Sequence, residues 1–254
     1  MLDNEYQYHI KLKHGDVAKY VFLTGDPGRC EKIAEYLEDP VFVGTNREYT
    51  TYNGKLNGEM VTVMSTGIGG PSAAIAIEEL VKLGGEIFIR IGTCGGMQSD
   101  VVAGDVVIAT GAIRMEGTSR EYLPIEFPAV ADFTVVSALV KACSELDCAY
   151  HTGVVQSKDS FYGQHSPEIK PVSYELLSKW EAWIKGGALA SEMECAALFT
   201  VAAYLRVKVG AILHVVNNQE REKQCLPNTY ISDMSNCIKA AINAMKEYIS
   251  QDLK

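Results

Sequence analysis

One arginine follows an apolar run at a position where it could bind an anion. The sequence GDPGR occupies residues 25–29, directly after the strand-like run YVFLT at 20–24. Asp26 suits the N-cap of a helix and Pro27 its first turn, so a helix is expected to begin here. A helix N-terminus attracts anions, and Arg29 would add a forked cation. An ordinary strand-to-helix turn with an exposed arginine explains the same residues and, without further evidence, is the more frequent case.

A second arginine lies inside a run that otherwise predicts a fully buried strand. Arg90 interrupts IFIRI at 87–91, and a buried guanidinium requires either an acidic partner or a bound anion. The following residues, GTCGG at 92–96, predict a glycine-rich loop at the carboxyl end of the strand, where α/β sheets bind ligands. Arg90 and Thr93 could together hold a small oxyanion. The loop lacks GxGxxG spacing, which disfavours a nicotinamide cofactor.

The sequence SEMECAALFTVAAYLR at 191–206 predicts an apolar helix that opens with two carboxylates. Carboxylates in a first turn favour the helix dipole, which is the structural explanation. In the functional explanation, Glu194 accepts hydrogen bonds from two vicinal hydroxyls, as a carboxylate does with ribose, and Met193 packs on the sugar. Such a carboxylate with several arginines suits a reaction between an anion and a cation-like sugar. Cys94 is not expected to act as a nucleophile, because no Cys, His and Asn motif accompanies it.

Apolar strands alternate with helical segments, which predicts a single α/β domain over residues 1–254. The predicted strands are 20–24, 61–65, 87–91, 106–109 and 211–216, and the predicted helices are 71–83, 191–206 and 232–249. Residues 162–187 contain two prolines and three glycines and predict an irregular loop. That loop could be a functional flap or a plain surface insertion.

Composition narrows the class of protein. The 254 residues are 47% apolar, and 23 basic against 32 acidic residues give a formal net charge of -9. This balance argues against nucleic-acid or membrane partners, which need a positive surface. No apolar run is long enough to span a membrane, and the first sixteen residues lack a signal-peptide core. Seven cysteines without a CxxC pair indicate buried thiols in a reducing compartment and no zinc site, so a cytoplasmic protein is expected.

Eight segments in a fixed order give the chain a resemblance to a known family. They are His9, GDPGR at 25–29, NREYTTY at 46–52, STGIGGPSAAIAIEEL at 65–80, RIGTCGG at 90–96, EFPAVADF at 126–133, DSFYGQ at 159–164 and EMECAAL at 192–198. The chain resembles the nucleoside phosphorylases of the hexameric type, and among them the uridine phosphorylases. The resemblance extends from about residue 8 to the C-terminal helix.

The resemblance implies an architecture and an activity. The family fold is a single α/β domain with a central mixed, partly barrel-like sheet surrounded by helices. The family assembles as a ring-shaped hexamer, a trimer of dimers, in which the dimer mate completes each active site. The implied reaction is the phosphate-dependent cleavage of a nucleoside to a free base and ribose 1-phosphate. Phosphate is then a co-substrate, and no other cofactor is obligatory.

The resemblance also implies roles for the residues of this chain that match the family's site positions. The phosphate-binding residues are Gly25, Arg29, Arg90, Thr93 and, from the neighbouring subunit, Arg47. The ribose-binding residues are Thr93, Met193, Glu194 and, from the neighbouring subunit, His9. The base-binding residues are Phe161, Gln164 and Asn217. The catalytic residues among these are Arg90, Glu194 and Gln164. A monovalent cation such as K⁺, bound between subunits in some family members, corresponds to Glu48, Ile68 and Ser72. On this reading, Arg90→Leu is expected to abolish phosphate dependence and leave the fold intact.

The base preference follows from a short segment near the C-terminus. Purine-acting relatives carry an aspartate after the penultimate core strand, whereas residues 215–219 read VVNNQ. The missing acid disfavours both a purine phosphorylase and the related adenosyl nucleosidases. Asn217 and the pair Phe161 and Gln164 favour uracil, in uridine or its deoxy and thymine analogues.

Two positions depart from the uridine phosphorylase pattern. Ser166 and Asn218 stand where that group has arginines that stabilise negative charge on the departing uracil. His165, Lys170 and Arg221 are the candidates to replace them. The departure leaves two alternatives beside a uridine phosphorylase: a purine nucleoside phosphorylase of the hexameric type, and a nucleoside-binding homologue with little turnover.

Overall fold

A mixed β-sheet forms the centre of the molecule. The computed structural model describes residues 6–252 and contains, within them, ten strands. The strands are β1 Tyr20–Thr24, β2 Glu38–Asn46, β3 Tyr49–Leu56, β4 Glu59–Ser65, β5 Ile87–Gly96, β6 Val106–Met115, β7 Ala129–Val130, β8 Tyr150–Lys158, β9 Ala190–Glu192 and β10 Lys208–Asn218. All five predicted strands are present, and four of them extend beyond the predicted residues.

Five of these strands close into a barrel. β5 pairs with β10 and β9, β10 pairs with β6, and β8 bridges β6 and β9, so the hydrogen-bonded circuit is complete. The remaining long strands extend from β5 in the order β1, β4, β3, β2. Parallel and antiparallel pairs occur together. The predicted fold class, a single α/β domain with a mixed, partly barrel-like sheet, is therefore confirmed. Residues 1–5 and 253–254 of the predicted domain lie outside the described residues.

Helices cover the sheet, and together they bury two apolar clusters. The helices are α1 Pro27–Ala34, α2 Gly70–Lys82, α3 Thr118–Tyr122, α4 Phe133–Glu145, α5 Phe161–His165, α6 Ser173–Lys185, α7 Cys195–Leu205, α8 Gln219–Lys223 and α9 Ser235–Asp252, with a 3₁₀ turn at Pro167–Ile169. In β1, Val21 and Leu23 pack in the cluster under α2 and α7, and Phe22 packs in the cluster under α1, α4 and α9. This alternation explains why the whole β1 run is apolar. None of the helices within residues 6–252 is long and apolar enough to cross a membrane.

The glycine-rich segment at 92–96 is strand and not the predicted loop, so that prediction is wrong. β5 continues through these residues in parallel register with β10. A Cβ on Gly92 would lie 2.9 Å from Leu213 Cδ2, and one on Gly96 would lie 2.8 Å from the carbonyl oxygen of Val101. The glycines therefore permit the close approach of neighbouring backbone where the barrel closes, which is a structural use of glycine in a strand.

Two further predictions of secondary structure are wrong. The segment 191–206 was expected to be one helix, but residues 190–192 form β9 and the helix begins only at Cys195. The segment 162–187 was expected to be irregular, but most of it lies in α5, the 3₁₀ turn and the thirteen-residue α6. Gly163 lies within α5 and Pro167 begins the 3₁₀ turn, whereas Pro171 precedes α6 and the two glycines at 186–187 follow it.

Candidate active site

Arg90 lies deep in the sheet and has acidic partners, the first of the two explanations for its burial. Its side chain is 3% exposed, Nη2 donates to Oε2 of Glu194, and Nε lies 4.0 Å from Oε2 of Glu192. Nε and Nη1 nevertheless have no hydrogen-bond partner within the described residues. Burial opposes the charge, but Glu194 and Glu192 raise the pKa of Arg90 above its usual value. The charge is thus paired, while two buried donors remain available to an anion.

Glu194 is placed by the turn between β9 and α7. Its Oε1 accepts a 2.7 Å hydrogen bond from the N–H of Gly69, and its Oε2 accepts from Arg90. Gly69 has a φ of 99°, a conformation that favours glycine, and this presents its N–H to the carboxylate. Burial raises the pKa of Glu194, and the Arg90 guanidinium opposes the shift. Because both oxygens accept hydrogen bonds, the arrangement favours the ionised carboxylate.

The neighbouring carboxylate, Glu192, has a structural task. Its Oε2 accepts the backbone N–H groups of Glu194 at 2.7 Å and Cys195 at 2.9 Å, and its Oε1 accepts from the Ser157 hydroxyl. Glu192 therefore caps α7 from inside the sheet. Of the two explanations for the acidic pair, helix capping applies to Glu192 and leaves Glu194 available for a ligand. Met193, between them, is half-buried.

The GDPGR segment forms the predicted helix start beside Arg90. Asp26 caps α1 by accepting the Gly28 N–H at 2.9 Å. Half-buried Arg29 donates to Thr24 Oγ1 at 3.2 Å, and burial lowers its pKa with a further contribution from nearby Arg90. A Cβ on Gly25 would lie 3.9 Å from Arg90 Nη2. The structure thus brings Gly25, Arg29 and Arg90 together, and two guanidiniums near one another favour an anion between them.

Thr93 is less closely tied to this cluster. It is half-buried, three residues beyond Arg90 on β5, and pairs in the ladder with His214. No hydrogen bond joins its side chain to Arg29 or Arg90 in the described chain. Its role toward phosphate or ribose stays a prediction.

Arg47 and His9 belong to two segments that Asn46 joins. Arg47 is exposed in the turn between β2 and β3, and Asn46 Nδ2 donates to the His9 carbonyl at 2.6 Å. His9 Nδ1 lies 2.7 Å from Oε1 of Glu79, which also accepts backbone N–H groups of residues 9 and 10. The buried Glu79, which the sequence did not single out, thereby fixes this segment on α2. Neither Arg47 nor His9 hydrogen-bonds to Arg29, Arg90 or Glu194 of its own chain.

The three residues of the predicted cation site also lie together. A Cβ on Gly67 would meet Glu48 Cγ at 2.9 Å and Ser72 Oγ at 3.6 Å. Ser72 Oγ lies 3.3 Å from the Ile68 carbonyl oxygen. The Ile68 side chain is 77% exposed, so the cluster lies at the surface. Carboxylate, hydroxyl and carbonyl oxygens suit a hard cation. Residues 6–252 contain no group of three or more His, Cys, Asp or Glu side chains that could hold a metal ion.

Gln164 joins a polar network on the opposite side of Glu192. The Ser191 hydroxyl contacts Oε1 of Gln164 at 2.7 Å and Oε1 of Gln156, and it accepts a hydrogen bond from Lys158 Nζ at 2.8 Å. Gln164 Nε2 lies 3.3 Å from Gln219 Oε1. Because a hydroxyl carries one proton, Ser191 donates to one amide oxygen at a time, and the choice sets which face Gln164 presents to a ligand.

The other predicted base contacts flank this network. Phe161 is 50% exposed at the start of α5, and its ring centroid lies 4.3 Å from that of His165. Asn217 is half-buried on β10, where a bulge sets it opposite Gly95, and a Cβ on that glycine would lie 3.6 Å from Asn217 Oδ1. The contact of both residues with a base stays a prediction.

A cavity of about 150 Å³ adjoins Gln164. It is lined by Met115, Gln156, Lys158, Asp159, Ser160, Gly163, Gln164, Pro167, Leu176, Leu177, Trp180, Trp183, Gln219 and Lys223. Of the predicted base contacts Gln164 lines it and Phe161 and Asn217 do not, and Arg90, Thr93 and Glu194 are also absent from its lining, so the cavity lies on the Gln164 side of the site. An apolar cavity of roughly this size holds a single six-membered ring.

Lys158, which the sequence did not single out, is the charged residue of this cavity with the least exposure. It ends β8, is 5% exposed, and burial lowers its pKa to about 8 against the opposing effect of Glu192. No local sequence signal distinguishes it, because a charged pair such as Lys158 and Asp159 after an apolar run is typical of an exposed turn.

The two positions that lack arginines are accounted for differently. Asn218 is fully buried, donates to the carbonyls of Gln98 and Val101, and caps α8. Its side chain is therefore committed to the fold. Of the suggested replacements, Arg221 donates to the carbonyls of Pro227 and Ser99, and His165 packs on Phe161. Lys170 and Ser166 are half-buried around the 3₁₀ turn.

Comparison with known proteins agrees with this geometry. A family model described as the phosphorylase superfamily matches residues 19–250. The uridine phosphorylase of Treponema pallidum is 56% identical over 246 residues, which cover 97% of this chain and 95% of the relative. The uridine phosphorylase of Escherichia coli is 38% identical, covering 95% and 98%. The guanosine phosphorylase of Halorubrum lacusprofundi is 37% identical, covering 94% and 98%. The resemblance drawn from the eight segments is confirmed, and the chain belongs to the phosphorylase superfamily.

Proposed function

We propose that the protein catalyses the reversible, phosphate-dependent cleavage of uridine to uracil and ribose 1-phosphate. The observation that carries the proposal is the Arg90 guanidinium, which is buried, paired with Glu194, and left with two free donors. A buried anion site directly beside a carboxylate is what phosphorolysis requires, because phosphate must attack the anomeric carbon of a sugar whose hydroxyls need an acceptor. Relatives at 56% and 38% identity that are named uridine phosphorylases support the substrate.

On the phosphate side, Arg90 and Arg29 would hold the anion, with the Gly25 backbone close to it. Arginine forks bind phosphate oxygens through paired hydrogen bonds and fix the orientation of the nucleophile. Holding the nucleophile in place converts a bimolecular encounter into an oriented one. The net charge of -9 does not oppose this, because exposed charges beyond about 8 Å are largely screened at physiological salt.

On the ribose side, Glu194 would accept hydrogen bonds from the two vicinal hydroxyls while Met193 packs against the sugar. The sugar acquires cation-like character as its bond to the base breaks, and the carboxylate lies on the side of phosphate attack. Fixed charges in a buried site stabilise such a state without reorganisation at the moment of reaction. Thr93 would add a hydroxyl between phosphate and ribose.

On the base side, the Gln164 amide would pair with the amide edge of uracil, with Phe161 stacking on the ring and Asn217 close by. A carboxamide presents an N–H donor beside a carbonyl acceptor, which matches the adjacent N–H and C=O groups of uracil. The cavity next to Gln164 has room for one six-membered ring. Of these two features, the size of the cavity favours a pyrimidine over a purine.

Incubation with a panel of nucleosides tests this function. The purified protein is incubated with uridine, deoxyuridine, thymidine, inosine, guanosine and adenosine, with and without phosphate, and the released bases are separated. We expect phosphate-dependent release of uracil. Release from purine nucleosides only would establish the purine phosphorylase alternative, and equal release without phosphate would indicate a hydrolase. Calorimetric binding of uridine and phosphate without product would establish the nucleoside-binding homologue.

The assembly belongs to the same proposal: a dimer with shared active sites, built into a hexamer. Arg47 is exposed, His9 is half-buried, and neither hydrogen-bonds to Arg29, Arg90 or Glu194 of its own chain, as expected of residues donated to a neighbour. In a mixture of two inactive variants, Arg29→Ala and Arg47→Ala, mixed dimers contain one intact site. Random mixing should therefore restore about a quarter of the wild-type activity. Activity that stays at the level of the separate variants would place Arg47 outside the site.

Two smaller proposals complete the function. Glu48, Ile68 and Ser72 would bind a monovalent cation such as K⁺ at the subunit interface, which is tested by comparing activity in potassium salts and in salts of a bulky organic cation.

The reaction would take place in the cytoplasm, because all seven cysteines are free thiols, as expected in a reducing compartment. Cell fractionation checks the compartment.

A further inference from the structure

Lys158 occupies an environment that a structural lysine rarely has. Its Nζ donates to Ser191 Oγ at 2.8 Å and to the Glu192 carbonyl oxygen at 3.5 Å, and it forms no ion pair within residues 6–252. An ammonium carries three N–H donors, so these two acceptors leave one donor for the cavity that Lys158 lines. A buried charge without a carboxylate partner is costly, and a methionine would fill the same space without that cost.

The carboxylates near Lys158 are committed elsewhere. Glu192 uses its oxygens to cap α7 and to accept from Ser157, and Glu194 accepts from Arg90 and Gly69. Lys158 therefore forms no direct ion pair with either carboxylate, although both favour its charged form. Its donor faces the same cavity as Gln164, and both contact the Ser191 hydroxyl.

The chemistry of the proposed reaction requires a cation at this place. A phosphate oxygen forms a bond to C1′, the bond from C1′ to N1 of uracil breaks, and its electron pair leaves with the base. The charge spreads from N1 to the carbonyl oxygens of the ring, and the base later takes a proton from water. A fixed donor at a carbonyl oxygen stabilises this charge where it develops.

We propose that Lys158 is a catalytic residue on the base side, whose ammonium donates a hydrogen bond to a carbonyl oxygen of the departing pyrimidine while Gln164 holds the amide edge. This inference rests on the proposed function and assigns the base-side cation to a residue other than His165, Lys170 or Arg221. Lys158 keeps its proton throughout and acts as a fixed positive charge.

The protonation of Lys158 is set by its surroundings. Six titratable residues face it from neighbouring elements or share its cavity: Glu192, Glu194, Cys94, His165, Asp159 and Lys223. Burial lowers the pKa of Lys158 to about 8, and Glu192, Glu194 and Cys94 oppose that shift. Burial also raises the pKa of the Cys94 thiol, so the thiol is neutral and the two carboxylates carry the nearby negative charge. At neutral pH Lys158 is therefore mostly protonated.

The first test compares Lys158→Met with the wild type on two substrates. Removal of one fixed donor to a developing anion lowers kcat by about 10²- to 10³-fold, and we expect that loss for uridine. The loss should be smaller for 5-fluorouridine, because fluorine withdraws electrons and makes the departing anion less basic, so that it depends less on a hydrogen-bond donor. A merely structural role would lower both rates equally. Lys185→Met, the same change at an exposed ion-paired lysine of α6, is the control and should leave both rates unchanged.

The second test uses pH and the conservative variant Lys158→Arg. Wild-type kcat should fall as the pH rises through about 8, because Lys158 then loses its proton. In Lys158→Arg, which should retain more activity than Lys158→Met, this decline should move to higher pH, because arginine does not titrate there. The wild-type pH profile and its 5-fluorouridine rate need no variant, so a misfolded variant does not remove the test.

The outcomes separate the two proposals. Wild-type turnover of uridine with an equally active Lys158→Met overturns the lysine proposal and leaves the function intact. An equal loss on uridine and 5-fluorouridine also overturns it, as does an alkaline decline that is identical in wild type and Lys158→Arg. A wild-type protein that releases no uracil overturns the function, and with it the role of Lys158 toward a pyrimidine.

Discussion

The phosphate side and the base side of the site each bury a cation, and they do so in opposite ways. Arg90 faces two carboxylates and, among residues 6–252, still has two donor atoms without partners. Lys158 faces a hydroxyl and a main-chain carbonyl, and burial lowers its pKa to about 8. The charge on Arg90 is therefore part of what holds the fold together, whereas the charge on Lys158 is maintained against a cost. Removal of the two cations should change stability in opposite directions.

The largest effect is expected for Arg90→Leu. The substitution removes the anion site, and phosphorolysis should fall by about 10³-fold or more, the scale for loss of a main electrostatic contact. It also leaves Glu194 buried without its cationic partner, and breaking a buried pair in this way costs about 3–5 kcal/mol. The earlier expectation that the fold would stay intact did not include these carboxylates. Chemical denaturation and phosphorolysis rates measure the two losses separately.

A double variant sharpens this result. Arg90→Leu combined with Glu194→Gln removes both charges, so most of the lost stability should return while activity stays absent. A single Arg90→Leu variant with wild-type stability would show that Glu194 is protonated or solvated, contrary to the geometry. Full phosphorolysis by that variant would remove Arg90 from the anion site altogether.

The phosphate side could be predicted from the sequence because its signals are local. A charge inside an apolar strand, as at Arg90, requires a partner wherever the strand lies. An Asp-Pro step directly after a strand predicts the start of α1, and the structure has Asp26 as its cap. The acidic pair at 192 and 194 was recognised as well. Its assignment to a helix was wrong because Glu192 caps α7 from β9, a pairing that no local pattern shows.

The base side could not be predicted in the same way because it forms by tertiary convergence. Lys158 ends β8 next to Asp159, and such a charged pair at a strand end is typical of a solvent-exposed turn. It is buried because β9 lies alongside β8 and brings Ser191 to it. Asn218 was noted only as lacking an arginine, and its side chain donates to backbone carbonyls more than a hundred residues away. Long-range pairings of this kind leave no periodicity in a single sequence.

A smaller effect of opposite sign is expected for Lys158→Met. A pKa lowered from 10.5 to about 8 corresponds to a cost of about 3 kcal/mol for the charged form in the folded wild type. Lys158→Met removes this cost, but it also loses two hydrogen bonds, which offsets part of the gain in stability. The variant should therefore be more stable than the wild type by about 1–2 kcal/mol at pH 7, although it is catalytically impaired. Residues kept for function commonly reduce stability in this way.

The pH dependence of that difference identifies its cause. Below pH 8 Lys158 is protonated in both the folded and the unfolded wild type, so the full cost of burial is present. Between about pH 8 and 10.5 the folded state releases the proton while the unfolded chain keeps it, and wild-type stability rises relative to Lys158→Met. The advantage of the variant should thus be greatest below pH 8 and should shrink toward pH 10.5, measured by urea denaturation of both proteins at each pH. An advantage that does not change with pH would mean that better packing, and not the removed charge, stabilises the variant. A variant that is less stable than the wild type would make Lys158 a structural cation like Arg90.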